Sequence, residues 1–196
     1  MPLVASLPAD HSPEVELVAR FFFETLGFAP NSVLTMQRRP EIAKAFTHLN
    51  RAVMENGGRV TSEQKRLIGH IASATAGCRY CEAHTVLAAK RFGASDERLA
   101  ALWQFRQSDL FSAAEKAAFE FALAAASVPN AVDEPIASTL RAHWTDDEIV
   151  EILGVVSLFG FLNRWNDSMG TTLEGAAEAV GSRHLAARGW NAGKHR

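Results

Sequence analysis

Apolar residues in this chain recur three and four positions apart, the spacing of one helix face, and no run of strict alternation marks a strand. Ser12-Pro13-Glu14 supplies a hydroxyl N-cap, a proline at the first helical position and an acidic first turn. The helix it opens runs through Val15, Leu17, Val18 and Phe21–Phe23 to a stop at Gly27. Pro30-Asn31-Ser32 begins a short segment to Arg39. Pro40 starts a helix with Ile42, Ala43, Phe46, Leu49 and Val53 in phase, ended by Asn56-Gly57-Gly58. Thr61 with Gln64 reads as a capping box, and the helix behind it carries Leu67, Ile68, Ile71 and Ala74 to Gly77. A further helix runs from about Cys78 to Phe92, with Gly93 as its stop.

Ser95-Asp96-Glu97 caps a helix through Leu99, Leu102 and Trp103. Ser112 with Glu115 opens another from Ala113, which Pro129 terminates. Asp133-Glu134-Pro135 starts a short helix to His143. Thr145 with Glu148 opens a long, almost wholly apolar helix from Asp146 to Met169, the kind that belongs at the centre of a core or at a subunit interface. The pattern predicts an all-α fold: an irregular lead-in over 1–11, a helical domain over 12–170, and a tail over 171–196 with a helix at Leu173–Val180 before it frays. Val60-Thr61…Gln64 and Trp144-Thr145…Glu148 open two long helices alike, which suggests two similar halves.

The candidate chemistry lies in Gly77-Cys78-Arg79-Tyr80-Cys81-Glu82-Ala83-His84-Thr85, which holds both cysteines of the chain. On a helix, Cys81 faces both Cys78 and His84. A cysteine pair at this spacing can close into a disulfide with little backbone movement. A helix N-terminus favours thiolate, the reactive form. Two other readings stay open. The cysteines can be core residues, or, with His84, part of a zinc site that needs a fourth ligand. Haem attachment is excluded because Glu82, not histidine, follows Cys81.

Composition narrows the classes. With 20 basic and 22 acidic residues the net charge is -2, which leaves no footprint for nucleic acid. Met1–Asp10 lacks the basic and apolar regions of a secretory signal. The run Ile149–Leu162 is broken by Glu151 and is too short to span a membrane. A cytoplasmic setting is expected, where a lone CxxC is catalytic or metal-binding rather than structural.

Three passages resemble the AhpD-like, or carboxymuconolactone decarboxylase-like, superfamily. They are Gly27-Phe28-Ala29-Pro30-Asn31 leading to Arg39-Pro40-Glu41, the cysteine signature Ala76–Thr85, and Phe161-Leu162-Asn163-Arg164-Trp165-Asn166-Asp167. The resemblance implies an all-helical protein that forms homo-oligomers and, in the branch with cysteines, thiol-dependent reduction of a small hydroperoxide. It gives Cys81 the attack on the peroxide, Cys78 the resolution of the sulfenic acid into a disulfide, and His84 the transfer of the proton. An external dithiol or protein reductant restores the pair, and no bound cofactor or metal is required. The chain departs from the family in two places. His84 follows the second cysteine by three residues rather than four. Arg66 stands where the family has a glutamate. Glu63, Arg66 and His70 share a helix face, so Glu63 or His70 can stand in for the missing carboxylate, or Arg66 can lower a thiol pKa by its charge.

Against these stand plainer readings: His70 as a structural residue, Glu63 as a first-turn charge, Glu82 as a solvated one, Tyr80 as packing. Trp103, Trp144, Trp165 and Trp190 read as core or interface aromatics, and Asn163, Arg164 and Asp167 as a polar network across an oligomer contact. The competing functions are lactone-acid decarboxylation, which has no evident use for paired cysteines, and a non-catalytic redox-sensing helical oligomer.

Overall fold

Where a hydroxyl precedes an apolar-periodic stretch, a helix begins. Ser12, Thr61, Ser95, Ser112 and Thr145 each accept an amide from the first turn of the helix that follows. The structure, a computed structural model describing residues 1–196, has ten α-helices and no strand. They are α1 (Pro13–Leu26), α2 (Asn31–Met36), α3 (Pro40–Met54), α4 (Ser62–Thr75), α5 (Arg79–Arg91), α6 (Asp96–Ala101), α7 (Ala113–Ala126), α8 (Glu134–His143), α9 (Asp146–Met169) and α10 (Gly175–Leu185). None is long and apolar enough to cross a membrane. The all-α reading is therefore correct. Two expected capping boxes, Ser112/Glu115 and Thr145/Glu148, close in both directions. The third is half made: Thr61 accepts from the Gln64 amide, but the Gln64 side chain is buried and does not reach back.

The central element is α4. Every residue from Gln64 to Ser73 is buried, and the helix packs against α5, α7 and α9. Leu67, Ile68 and Ile71 meet Phe119, Ile152, Val155 and Phe159 in the main core. Gly69 permits this packing, because a Cβ there would lie 2.3 Å from the Phe159 ring. Lys65 is fully buried, yet its ammonium donates to the Val53 and Glu55 carbonyls and pairs with Glu151 Oε1 at 2.5 Å. A buried charge survives when its donors are taken up in this way, and here it ties α3, α4 and α9 together. The long helix α9 buries one face only; Val150, Leu153 and Phe161 are exposed.

A second, smaller core joins α5 to the C-terminal residues. It contains Cys78, Tyr80, Cys81, Ala83, Leu173, Ala177, Leu185 and Trp190. The expected fraying after Val180 does not occur. Helix α10 continues to Leu185, and the chain then returns to the N-terminus of α5. There the Trp190 indole N–H donates to the Arg79 carbonyl at 3.1 Å, and the Leu173 amide donates to the His195 carbonyl at 2.7 Å. Buried apolar side chains (Trp190, Ala192) and the backbone bonds hold residues whose local sequence is unremarkably polar. Gly181 allows the approach, since a Cβ there would meet the Trp190 ring at 2.7 Å.

Candidate active site

Gly77 ends α4 in the left-handed region, φ 74°. The Gly77 amide donates to the Ala74 carbonyl and the Cys78 amide to the Ser73 carbonyl, both at 3.1 Å, the bond pair of a Schellman stop. Cys78 is thus the last residue held by α4 and also the N-cap of α5, where its sulfur accepts the Cys81 amide at 3.4 Å. Both thiols are free and buried. Asn166 on α9 reaches Cys81, its Nδ2 3.5 Å from Sγ. Burial pushes the Cys81 thiol well above its usual range. The hydrogen bond with Cys78 and that group's charge push further, as does the charge of Asp167, and only the Asn166 amide works the other way. The suggestion that Arg66 lowers a thiol pKa is therefore corrected: desolvation dominates, and no cation enters.

Three residues along the same helix, His84 gives Nε2 to Glu174 Oε2 at 2.6 Å. Glu174 is the residue before α10, and its carboxylate collects two more donors. The Asn31 amide donates to it at 2.5 Å and the Tyr80 hydroxyl at 3.0 Å, while the Tyr80 ring stacks on His84 with centroids 4.2 Å apart. Burial raises the Glu174 carboxyl, but the His84 imidazole, the Asn31 amide and its own amide outweigh that and hold it below the ordinary carboxylate value. Tyr80 is consequently more than packing. Burial and the Glu174 charge push its phenol well up, so it stays a donor.

Cys81, Tyr80, His84, Thr85 and Asn166 line one wall of a cavity of about 480 Å³. Phe21 and Phe22 of α1, Val33 of α2, Phe46 and Met54 of α3, and Phe159 and Leu162 of α9 form the apolar remainder. Arg66 of α4 and Phe92 lie on the wall too, with Arg51, Glu24 and Glu55 exposed at the rim.

The structure places Cys81 and His84 on one cavity wall, with Cys78 bonded behind Cys81, and leaves out the two substitutes for the family glutamate. Glu63 is 2.7 Å from Arg98 Nε and does not line the cavity. The nearby cation holds it on the α6 side of α4. His70 is buried, with Nδ1 3.0 Å from Thr85 Oγ1 and its ring edge-on to Trp103. Burial lowers its pKa to about 4, so it is neutral and separated from the cavity by Thr85. Glu82 is not the solvated charge expected: burial raises it to about 7, against the pull of Arg79 and Arg188. Of the late-helix polar group, Arg164 is exposed, Asp167 pairs with Lys194 at 2.9 Å, and Asn163 donates to the Ala72 carbonyl. No three His, Cys, Asp or Glu side chains gather as a metal site would require.

Two residues of the site escaped the sequence reading. Asn166 sits four residues after Leu162, on the apolar face of α9, and a polar residue in that phase was its one signal. Glu174 has none. It lies 90 residues from His84 and looks like any acidic residue before a helix.

Residues 40–124 match the carboxymuconolactone decarboxylase family. Over 91% of its length the chain is 33% identical to the debrominase Bmp8, covering 95% of that protein with a TM-score of 0.83. The chain belongs to the AhpD-like, or carboxymuconolactone decarboxylase-like, superfamily. A cysteine-to-alanine variant of Bmp8 in complex with 2,3,4-tribromopyrrole superposes with a TM-score of 0.86 at 32% identity, covering 93% of this chain and 97% of that one. The AhpD-core, peroxidase-related protein of Ralstonia eutropha JMP134, 22% identical over 89% of this chain and 94% of its own, shares the fold with a TM-score of 0.73. The uncharacterized protein YnjA of Escherichia coli (strain K12) is 33% identical over 99 residues, 50% of this chain; the match spans only 54% of YnjA's length. Members of the superfamily include enzymes, a decarboxylase and a debrominase among them.

Proposed function

We propose that this superfamily member is a thiol reductase that spends the two electrons of Cys78 and Cys81 on a small apolar substrate. The observation that carries the reading is the placement of one cysteine, Cys81, on the wall of the 480 Å³ cavity, with the other directly behind it at the N-cap. With a hydroperoxide, the Cys81 sulfur, as thiolate, attacks the distal oxygen. His84 takes the Cys81 thiol proton as the thiolate forms; the O–O bond then breaks and the alkoxide leaves, taking that proton back from the His84 imidazolium. Cys81 is then a sulfenic acid. The Cys78 sulfur displaces its oxygen as water, and a disulfide forms. An external dithiol returns two electrons and two protons. His84 is the proton carrier, and Glu174 fixes which ring nitrogen faces the cavity, the role a carboxylate plays for an imidazole in proton-transfer sites. In this reading Glu174, the residue before α10, takes the place of the family carboxylate at whose position α4 carries Arg66.

A second substrate class, a halogenated aromatic, is favoured by the aromatic walls and by the likeness to the debrominase along nearly the whole of both chains. The electron count is the same. Cys81 takes the halogen as a sulfenyl halide, the ring carbanion gains a proton, and Cys78 displaces halide to give the same disulfide. The chain, on either substrate, needs no other redox group.

The test is turnover of cumene hydroperoxide and of a bromopyrrole with dithiothreitol as reductant, followed by mass spectrometry. Wild type should form a Cys78–Cys81 disulfide on stoichiometric substrate. Cys81→Ser should lose at least roughly 1,000-fold in kcat/KM, as removal of a nucleophile does. Full activity in Cys81→Ser, or after thiol alkylation, refutes the reading and turns attention to cysteine-independent decarboxylation. Disulfide formation without turnover under any reductant points to redox sensing.

A further inference from the structure

We infer that Arg66 anchors an anionic group of the substrate, so that the molecule accepted here is an apolar body bearing one carboxylate. This deepens the reading of the cavity as the substrate site and rests on it.

Arg66 is 7% exposed and lies on the cavity wall. Its guanidinium carbon stands 3.7 Å from the centre of the Phe92 ring. It makes one hydrogen bond, from Nη1 to the Ser62 carbonyl at 2.9 Å, and no carboxylate lies within ion-pair distance. The comparable buried or half-buried cations are treated otherwise. Lys65 pairs with Glu151, and Arg98 with both Glu63 and Glu115. A buried charge without a counter-ion is costly, and a guanidinium does not escape the cost by losing its proton at neutral pH. Its pKa is lowered by burial alone, to about 10, which leaves it charged.

The free N–H groups of Arg66 form a planar fork suited to two carboxylate oxygens. The face of Phe92 holds one side of that plane, which limits how the guanidinium can turn. Phe21, Phe22, Val33, Phe46 and Leu162 offer nothing polar to the rest of the ligand. The substrate then spans the cavity, its carboxylate at α4 and its reducible group at Cys81 on α5. At the rim the exposed Glu24 and Glu55 repel a carboxylate and Arg51 offsets them in part, so an anion is held best where it passes inward to Arg66.

The test is a binding measurement that requires no chemistry. 2-Naphthoate and its uncharged analogue 2-naphthamide are titrated into reduced protein by calorimetry at neutral pH, in wild type and in Cys81→Ser. The acid is expected to bind roughly 10- to 100-fold more tightly than the amide, the range of a charge-assisted hydrogen-bonded pair. Arg66→Met, which can still cover Phe92, should abolish the preference, and Arg66→Lys should keep part of it. Equal binding of acid and amide, no binding of the acid, or an unchanged preference in folded Arg66→Met overturns the inference. The wild-type comparison decides it even where Arg66→Met does not fold. Preference for the acid together with thiol-independent turnover would sink the redox reading and leave the anchor standing. Thiol-dependent turnover without that preference would do the reverse.

Discussion

The two charged ends of the cavity obey different rules. At the α5 end, Glu174 is surrounded by His84, Tyr80 and the Asn31 amide, and both oxygens of its carboxylate have partners from other parts of the chain. At the α4 end, Arg66 has one backbone carbonyl and the face of a ring. His70, just behind the wall, shows a third outcome: partnered by a hydroxyl, it stays neutral. A buried ionisable group can be paired, can lose its charge, or can be left for a ligand. Glu174 takes the first course and His70 the second. Arg66, unable to take the second, is a buried cation on the cavity wall that the fold leaves without a counter-ion.

The strongest way to break that contrast is to unpair the paired end. Glu174→Gln keeps the shape but leaves His84 without its carboxylate. We expect kcat to fall roughly 100- to 1,000-fold with KM changed little, the range for disabling a proton-transfer group. Steady-state kinetics on whichever substrate is turned over check this. A loss under about threefold would make Glu174 a structural strut only.

His70 tests the second rule through pH. Its folded pKa is about 4, against 6.5 for the free side chain. Proton uptake therefore favours the unfolded chain. The stability contributed by the neutral imidazole is complete above pH 6.5 and declines as pH falls toward 4, by roughly 3 kcal/mol in all. Urea unfolding at a series of pH values should show this acid limb, and His70→Gln should flatten it. Glu174, with its depressed carboxyl, contributes a loss of the same sign, so the comparison of variant with wild type isolates His70. A limb unchanged in the variant would mean that His70 is charged in the fold.

The smallest effect sharpens the picture of redundancy. Tyr80→Phe removes one of the bonds to Glu174 and the acceptor of the Ser32 amide. We expect about 1–2 kcal/mol of lost stability by chemical denaturation and a turnover within roughly threefold of wild type. A much larger kinetic effect would mean that the phenol itself takes part in proton transfer.

The helices, their caps and the cysteine pair were legible because each depends on residues a few positions apart. Gly77, Cys78 and Cys81 stop one helix and start the next through bonds spanning no more than five residues. The half-made box at Thr61 shows the limit of such reading: the same cap motif closes only where its second side chain is free to turn outward, and burial of Gln64 forbids that. The partners of the site depend on what α4, α9 and α10 bring alongside α5. Only the fold supplies Glu174 to His84 and Asn166 to Cys81, and only the fold draws Glu63 away to Arg98. The chain alone determined which atoms could do redox chemistry, since nucleophilicity belongs to the residue type. Tertiary structure decided which of them meet and how each is charged, because desolvation and the distance between charges are properties of packing.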